Sequence, residues 1–456
     1  MLVHEVSPGQ QAWTISSVLL FNVACGMMVD ESFQATNSET WQKEPPALFY
    51  DCTAQYVYFL GLLCSALLMN RCGRRTAYLA ASLSAVLSWM AICLAYNEAT
   101  FAVGQTCGDF AKGAGIILGA MIIGEYTDTS YRGVFLTLAS ACLAFGKMTA
   151  CITTDLRMVA MFALIPSVLS FVIACSWPES PPWLLLKKKD EESEDSFIIF
   201  KGTQWTQQEL FQIQYTNIAR LQTTDVLRNV YKSLKNIFRP LVVIMYADIL
   251  MEASGKHLFE FYGSHIFDMI LGESLFNYNL FINIIVANGI VISTLLIIAL
   301  NRKTVVFLSG VMGILVLFLL SVVLFLTCNN SMMADPWVII SIIAMFIVLT
   351  NLGCTTICLT WCGELFPIET KSYGLFLSGV MLYVNKRICS NMMPYLLTDF
   401  KLLCAVGLTS LTLSLLILYF IAPETKDRSL SEIEYYFENG DFEDYEEADK
   451  NVTSNI

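Results

Sequence analysis

The chain has 456 residues, 55% of them hydrophobic and only 14% charged, with a mean hydropathy of +0.58. Soluble domains carry about 25% charged residues, so this composition excludes an ordinary soluble enzyme. The formal charge of −12 does not mark a surface for basic partners either, because residues 424–449 hold 11 Asp or Glu against Lys426 and Arg428. Most of the imbalance belongs to a tail, expected to be solvated and partly disordered.

In chain order, apolar runs long enough to cross about 30 Å of hydrocarbon are predicted at 12–31, 54–70, 77–96, 101–123, 133–154 and 157–177. After a polar stretch, six more are predicted at 239–263, 277–300, 304–328, 336–362, 373–397 and 401–422. Residues 1–12 contain no Lys or Arg, so the first run reads as a retained signal anchor rather than a cleaved signal peptide. Lys and Arg gather in alternate loops, which places both termini and the central loop in the cytoplasm. The loop near 329–335 is then external, and Asn329-Asn330-Ser331 makes Asn329 a candidate glycosylation site. Within the central loop, Thr206-Gln-Gln-Glu209 has the form of a capping box opening a short helix over 206–221, and 225–236 reads as a second.

Most of the fifteen cysteines lie in apolar runs, where Cys acts as a small hydrophobe. Cys354, Cys358 and Cys362 repeat every four residues, but the outer two would lie about 12 Å apart along a helix, too far to share one ion. There is no nucleotide-binding loop, zinc motif or nucleophile elbow, and no basic-aromatic surface for nucleic acid. Neither catalysis nor a cofactor or metal is expected; the expected partners are the lipid bilayer and a small solute.

An internal repeat organises the chain. Gly73-Arg74-Arg75 returns as Asn301-Arg302-Lys303, 228 positions later; Gly124-Glu125 returns as Gly363-Glu364, 239 later; Pro178-Glu179-Ser180 returns as Pro423-Glu424-Thr425, 245 later. Arg132 and Lys371 each follow their glutamate by seven. Echoes in one order and at nearly constant offset predict two six-helix halves, the parallel repeat of the major facilitator fold. The expected architecture is an all-α membrane protein with twelve spans: a first bundle at 1–186, a cytoplasmic linker with short helices at 187–238, a second bundle at 239–423 and an acidic cytoplasmic tail at 424–456.

These motifs resemble those of the sugar porters of the major facilitator superfamily, most closely the insect facilitated trehalose and sugar transporters. Asn70-Arg-Cys-Gly-Arg-Arg75 is similar to the D-R-x-G-R-R loop, and Gly124-Glu125 through Arg132-Gly133 to the E-x(6)-R-G element. Pro178-Glu-Ser-Pro-Pro-Trp-Leu184 resembles P-E-S-P-R-W-L, Glu364-Leu-Phe-Pro367 with Lys371 resembles E-[LI]-F-P-x(3)-[KR], and Pro423-Glu-Thr-Lys426 opens the closing P-E-T-K-G-x-S-L. The resemblance implies plasma-membrane transport of a sugar by alternating access, with trehalose or glucose the leading solutes and no proton coupling. It also implies a cytoplasmic gate in which Arg71, Arg74 and Arg75 pair with Glu125 or Glu179, holding the bundles together, while Glu364 pairs with Arg302, Lys303 or Lys371; Arg132 belongs to the same set.

The family's sugar contacts fall on Ser140, Met251, Glu252, His257, Tyr262, Asn288, Asn351 and Leu359, several of which lack the amide or aromatic group a sugar site uses. Charge has appeared instead. Asp248, Glu252, Lys256 and Glu260 repeat every four residues around a Ser254-Gly255 pair that weakens the helix, and Lys386 and Arg387 lie mid-span. Ionisable groups in hydrocarbon require partners or water, so these residues are expected to form a central network serving either the solute or structure. Two rival functions stay open: proton-coupled transport of another polar or charged solute, and a non-transporting receptor or scaffold signalling through the tail.

Overall fold

Long apolar runs leave the backbone no hydrogen-bond partner in lipid except itself, so each is driven into a helix. The structure is a computed structural model describing residues 8–28, 47–152, 155–201, 226–271, 278–328, 335–368, 370–397 and 400–440. Among the described residues there are seventeen helices and no strand. The first half contributes α1 (Pro8–Met27), α2 (Ala47–Arg71), α3 (Arg74–Cys93), α4 (Glu98–Tyr126), α5 (Thr129–Ala150) and α6 (Leu156–Ala174). Two short helices follow, α7 (Pro181–Leu186) and α8 (Asp190–Lys201).

The second half begins with α9 (Val226–Ala253) and α10 (Lys256–Leu271), two pieces of one broken span. Next come α11 (Tyr278–Ala299) and α12 (Arg302–Cys328), then a second broken span formed by α13 (Pro336–Asn351) and α14 (Ile357–Glu364). The half closes with α15 (Lys371–Leu397) and α16 (Phe400–Ile421), and α17 (Leu430–Asn439) lies beyond it. Counting each broken pair once, the described helices make the twelve expected spans. Seven of them (α3, α4, α5, α6, α11, α12 and α16) are long and apolar enough to cross a membrane on length and composition alone. The outward faces of these helices carry Phe162, Ile165, Leu295, Phe318, Leu413 and Phe420, all exposed, an apolar belt suited to lipid and not to water.

Within the first half, α1 packs on α5 and α6, α3 on α4 and α6, and α2 on α4. Glycines set the closest approaches: Gly61 and Gly113 let α2 and α4 meet backbone to backbone, and Gly26 and Gly146 do so for α1 and α5. In the second half α9 packs on α15 and α16, α12 on α13 and α16, and α11 on α13. The halves touch through α5 with α11, α2 and α4 with α15, and α4 and α5 with α14. A site between the halves is therefore walled by α5 and α11 on one side and by the broken spans on another.

Three expectations are corrected. The span expected as one helix over 336–362 is interrupted at 352–356, where Gly353 lies against the Val305 carbonyl and the Ser309 hydroxyl accepts the Cys354 N–H at 3.3 Å. Residues 226–236 are the first turns of α9, because the apolar pattern continues through them, and do not form a separate linker helix. Part of the acidic end, expected as a solvated tail, is a packed helix: Ser429 caps α17 by accepting the Glu432 N–H at 3.2 Å, Gly440 ends it at φ +97°, and Ile433 and Phe437 are buried. Arg239 ties that helix to α9 by donating to the Phe437 carbonyl at 2.5 Å. The capping-box helix expected over 206–221 and the sequon at Asn329 lie outside the described residues.

Candidate functional site

Two regions draw the predicted residues together: a charged end of the bundle and a cavity between the halves. At the charged end the first-half pair is bidentate, with Arg74 Nε donating to Glu125 Oε2 at 3.0 Å and Nη2 to Oε1 at 3.1 Å. Ser180 Oγ donates to the same carboxylate at 2.5 Å. Glu179 accepts the backbone N–H groups of Arg74 at 2.7 Å and Arg75 at 3.1 Å, capping the start of α3. The turn that presents them depends on Gly73 at φ +108°, a conformation open mainly to glycine.

The second half repeats this construction. Arg302 Nη2 donates to Glu364 Oε1 at 2.8 Å, Thr425 Oγ1 donates to Glu364 Oε2 at 2.6 Å, and Glu424 accepts the N–H groups of Arg302 and Lys303 at 3.1 Å. Arg74, Glu125, Arg302 and Glu364 are all buried. Four members of the sequence repeat thus find counterparts in the same roles: Arg74 matches Arg302, Glu125 matches Glu364, Ser180 matches Thr425 and Glu179 matches Glu424.

One expectation about this end is overturned. The guanidinium–carboxylate pairs do not join the bundles, because both partners of each pair belong to one half. What crosses between halves at this end is a backbone approach, packing, one side-chain hydrogen bond and the attraction of Lys371 for Glu125. A Cβ on Gly124 would lie 2.5 Å from the Gly363 carbonyl oxygen and 2.5 Å from Lys371 Nζ, so the two repeated glycines face each other across the interface. The Arg302 guanidinium lies against Gly133 of the first half, and the Ser372 hydroxyl donates to the Asn70 side-chain oxygen. Lys371 is fully buried there, and its Nζ has no hydrogen-bond partner among the described residues. It does not bond Glu364 as expected. Lys303 donates its ammonium to the Tyr419 carbonyl at 3.3 Å instead of to Glu364. Arg75 bonds the Cys175 carbonyl, Arg132 is buried, and Arg71 is exposed without reaching either carboxylate among the described residues.

The cavity holds about 740 Å³ including its open mouth, and both helix breaks open onto it. Ser254, Gly255 and Lys256 line it from the first break, with Gly255 at φ +80°; Asn351, Thr355 and Thr356 line it from the second. Ser140 and Lys147 face it from α5, and Asn283 faces it from α11. Of the predicted solute contacts, Ser140, Asn351 and Leu359 line this cavity. Met251, Glu252 and His257 are buried behind the wall, Tyr262 donates to the Ser390 carbonyl at 3.3 Å, and Asn288 is exposed and bonds the Ile284 carbonyl of its own helix at 2.9 Å. Lys147, Asn283, Thr355 and Thr356 were not assigned from sequence. Two local signals existed: the charge of Lys147 within the apolar run 133–154, and the threonines after Asn351.

The expected central charges are linked across two helices, with His257 between Glu252, on its Nδ1, and Glu260, whose carboxylate lies 4.0 Å from its Nε2. The break at 254–255 ends the four-residue repeat, so Asp248 and Glu252 sit on one helix and Lys256 and Glu260 on the next. Glu260 pairs with Lys147, a contact between halves. Glu252 pairs with His257 Nδ1 at 2.5 Å, and Asp248 accepts from Asn385 Nδ2 at 3.0 Å. Lys386 lies 5.0 Å from the Phe261 ring centroid, and that ring stacks on His257 at 5.9 Å. Arg387 is half-buried in α15, next to Lys386. Asp109 and Lys112 form a local pair at 3.8 Å on α4.

The glucose transporter GlcP of Staphylococcus epidermidis is 24% identical over 387 residues, covering 81% of this chain and 83% of that one. The arabinose-proton symporter of Bacillus subtilis is 23% identical, covering 82% and 83%, and the facilitated trehalose transporter Tret1 of Apis mellifera ligustica 22%, covering 80% and 74%. The proton:xylose symporter XylE of the major facilitator superfamily, bound to 6-bromo-6-deoxy-D-glucose, superposes with a TM-score of 0.77 over 94% of this chain and 98% of its own, at 17% identity. The chain therefore has the all-helical major facilitator fold. With its profile matched over residues 15–437, the sugar (and other) transporter family is the one to which this multi-pass membrane protein belongs.

Proposed function

We propose that the protein carries a sugar or a similar small polar solute by facilitated diffusion, through alternating access to the cavity between its halves. The observation that supports this most directly is the placement of both helix breaks at that cavity, beneath a charged end sealed by the Gly124–Gly363 contact. Unwound turns free backbone polar groups and let side chains such as Asn351 and Thr355 face a solute at mid-membrane. The charged end is the cytoplasmic side on the distribution of Lys and Arg, and the gate there works by fit. Each ion pair stiffens its own half, and the two rigid surfaces close through glycine.

Glucose and trehalose are the first solutes to test, since relatives bear those names. Purified protein in liposomes should take up labelled glucose or trehalose whether or not a pH gradient is imposed. The Lys147–Glu260 pair at the cavity wall favours a second reading, in which a proton is coupled to another polar solute; uptake that requires an inward proton gradient would select it. Absence of flux from correctly inserted protein would leave the receptor reading.

A further inference from the structure

We infer that the solute this cavity selects is a small polyhydroxylated monoanion, its carboxylate held by Lys256 at the break between α9 and α10. This rests on the transport reading above and narrows its substrate class.

Three charged residues line the cavity: Lys147, Lys256 and Glu260. Lys147 and Glu260 neutralise each other in their ion pair. That leaves the lining with one positive charge in excess, on Lys256. Its ammonium donates to the Met251 thioether at 3.2 Å, a weak acceptor for so strong a donor. Glu252 and Asp248 are near enough to attract it, but their hydrogen bonds go elsewhere, Glu252 to His257 and Asp248 to Asn385. Lys256 is also the first residue of α10, so the unbonded N–H groups of that helix's first turn add partial positive charge at the same wall. Gly255, at φ +80°, turns the chain so that break and ammonium both border the cavity.

The rest of the lining suits hydroxyl groups. Asn283 and Ser140 face the cavity from the other walls, and Asn351 and Thr355, joined by a bond of 2.8 Å, face it from the second break. A carboxylate leaving water for this cavity needs a cation to replace its hydration. A neutral sugar of the same size would offer the Lys256 ammonium only uncharged acceptors and be disfavoured. One cavity thus offers a cation at one end and neutral donors and acceptors at the other, complementary to a sugar acid.

The test uses the full-length protein in liposomes, with labelled D-gluconate, D-glucuronate, D-glucose and trehalose, under potassium diffusion potentials set with valinomycin. The expected result is uptake of at least one sugar acid about tenfold above both neutral sugars, accelerated when the interior is positive. Lys256→Met should remove most of that preference and Lys256→Arg should keep it. Neutral-sugar uptake equal to or above that of the acids in the wild type would overturn the inference while leaving the transport reading intact. A preference unchanged in a folded Lys256→Met would overturn the assignment to that residue. Uptake of none of the four by folded, inserted protein would overturn both readings for these solutes. The wild-type ratio and its dependence on potential decide the matter even if the variants fail to fold.

Discussion

Replacing Gly124 with Ala tests how the charged end closes. The added methyl would lie 2.5 Å from the Gly363 carbonyl oxygen, whereas ordinary contact begins at 3.4 Å, so the facing backbone must retreat by about 0.9 Å. Lys371 Nζ, at the same 2.5 Å, ends a flexible side chain and can swing away; the carbonyl of α14 cannot. Overpacking of a well-fitted contact costs about 1–3 kcal/mol. The clash exists only in the closed arrangement, so the population closed at this end should fall by about 5–150-fold relative to the open one. Cys362, buried beside the contact, reports the opening: in detergent its labelling by a maleimide, read by mass spectrometry, should speed up by a similar factor. Gly407→Ala is the control, because its methyl would meet only Leu317, at 3.4 Å. Labelling of Cys362 no faster in Gly124→Ala than in the control would refute the reasoning.

Glu125→Gln and Glu364→Gln each leave a buried guanidinium short of its counter-charge, and each should cost about 3–5 kcal/mol, read as a fall in the midpoint of thermal unfolding. Lys371→Met removes a buried ammonium without a hydrogen-bond partner, so it should favour the closed end, slowing both Cys362 labelling and transport. Lys147→Glu and Glu260→Lys each place like charges together across the halves and should cut uptake at least about tenfold; the double exchange should restore part of it, and a double variant no better than either single would deny the pairing its role.

Much of this fold was legible because membrane spans announce themselves by length and the two halves repeat. The positions of Arg74, Glu125 and Glu179, read against Arg302, Glu364 and Glu424, mark groups that meet in the same combinations in both halves, with two bonds in the first guanidinium–carboxylate pair and one in the second. Sequence already put both partners of each pair in one half, within 1–186 or 239–423. What it could not show was where the halves meet, because the Gly124–Gly363 approach depends on how the packed helices fit and not on charge. The Lys147–Glu260 contact was hidden for a different reason: it joins helices of different halves, 113 positions apart, with no repeat to point to it. A four-residue periodicity from Asp248 to Glu260 suggested one charged stripe, and Gly255 breaks the helix that would have carried it. The second break was missed because 352–356 contains no proline and only one glycine, its turn being held by Ser309 from a neighbouring span.

That internal pairing has a consequence for how the protein should respond to its medium. When the halves part, the bonds Arg74–Glu125 and Arg302–Glu364 travel intact with their own bundles. Opening uncovers a glycine-lined helix crossing, apolar side chains, the ammonium of Lys371 and the face of the Arg302 guanidinium that lies on Gly133. Dissolved ions weaken attractions between exposed charges beyond about 8 Å at physiological strength, but the attraction that crosses this seam, of Lys371 for Glu125, joins two buried groups and is screened far less. Turnover should therefore change little between dilute and concentrated potassium chloride, and should depend instead on the shape of two helix surfaces that have to meet.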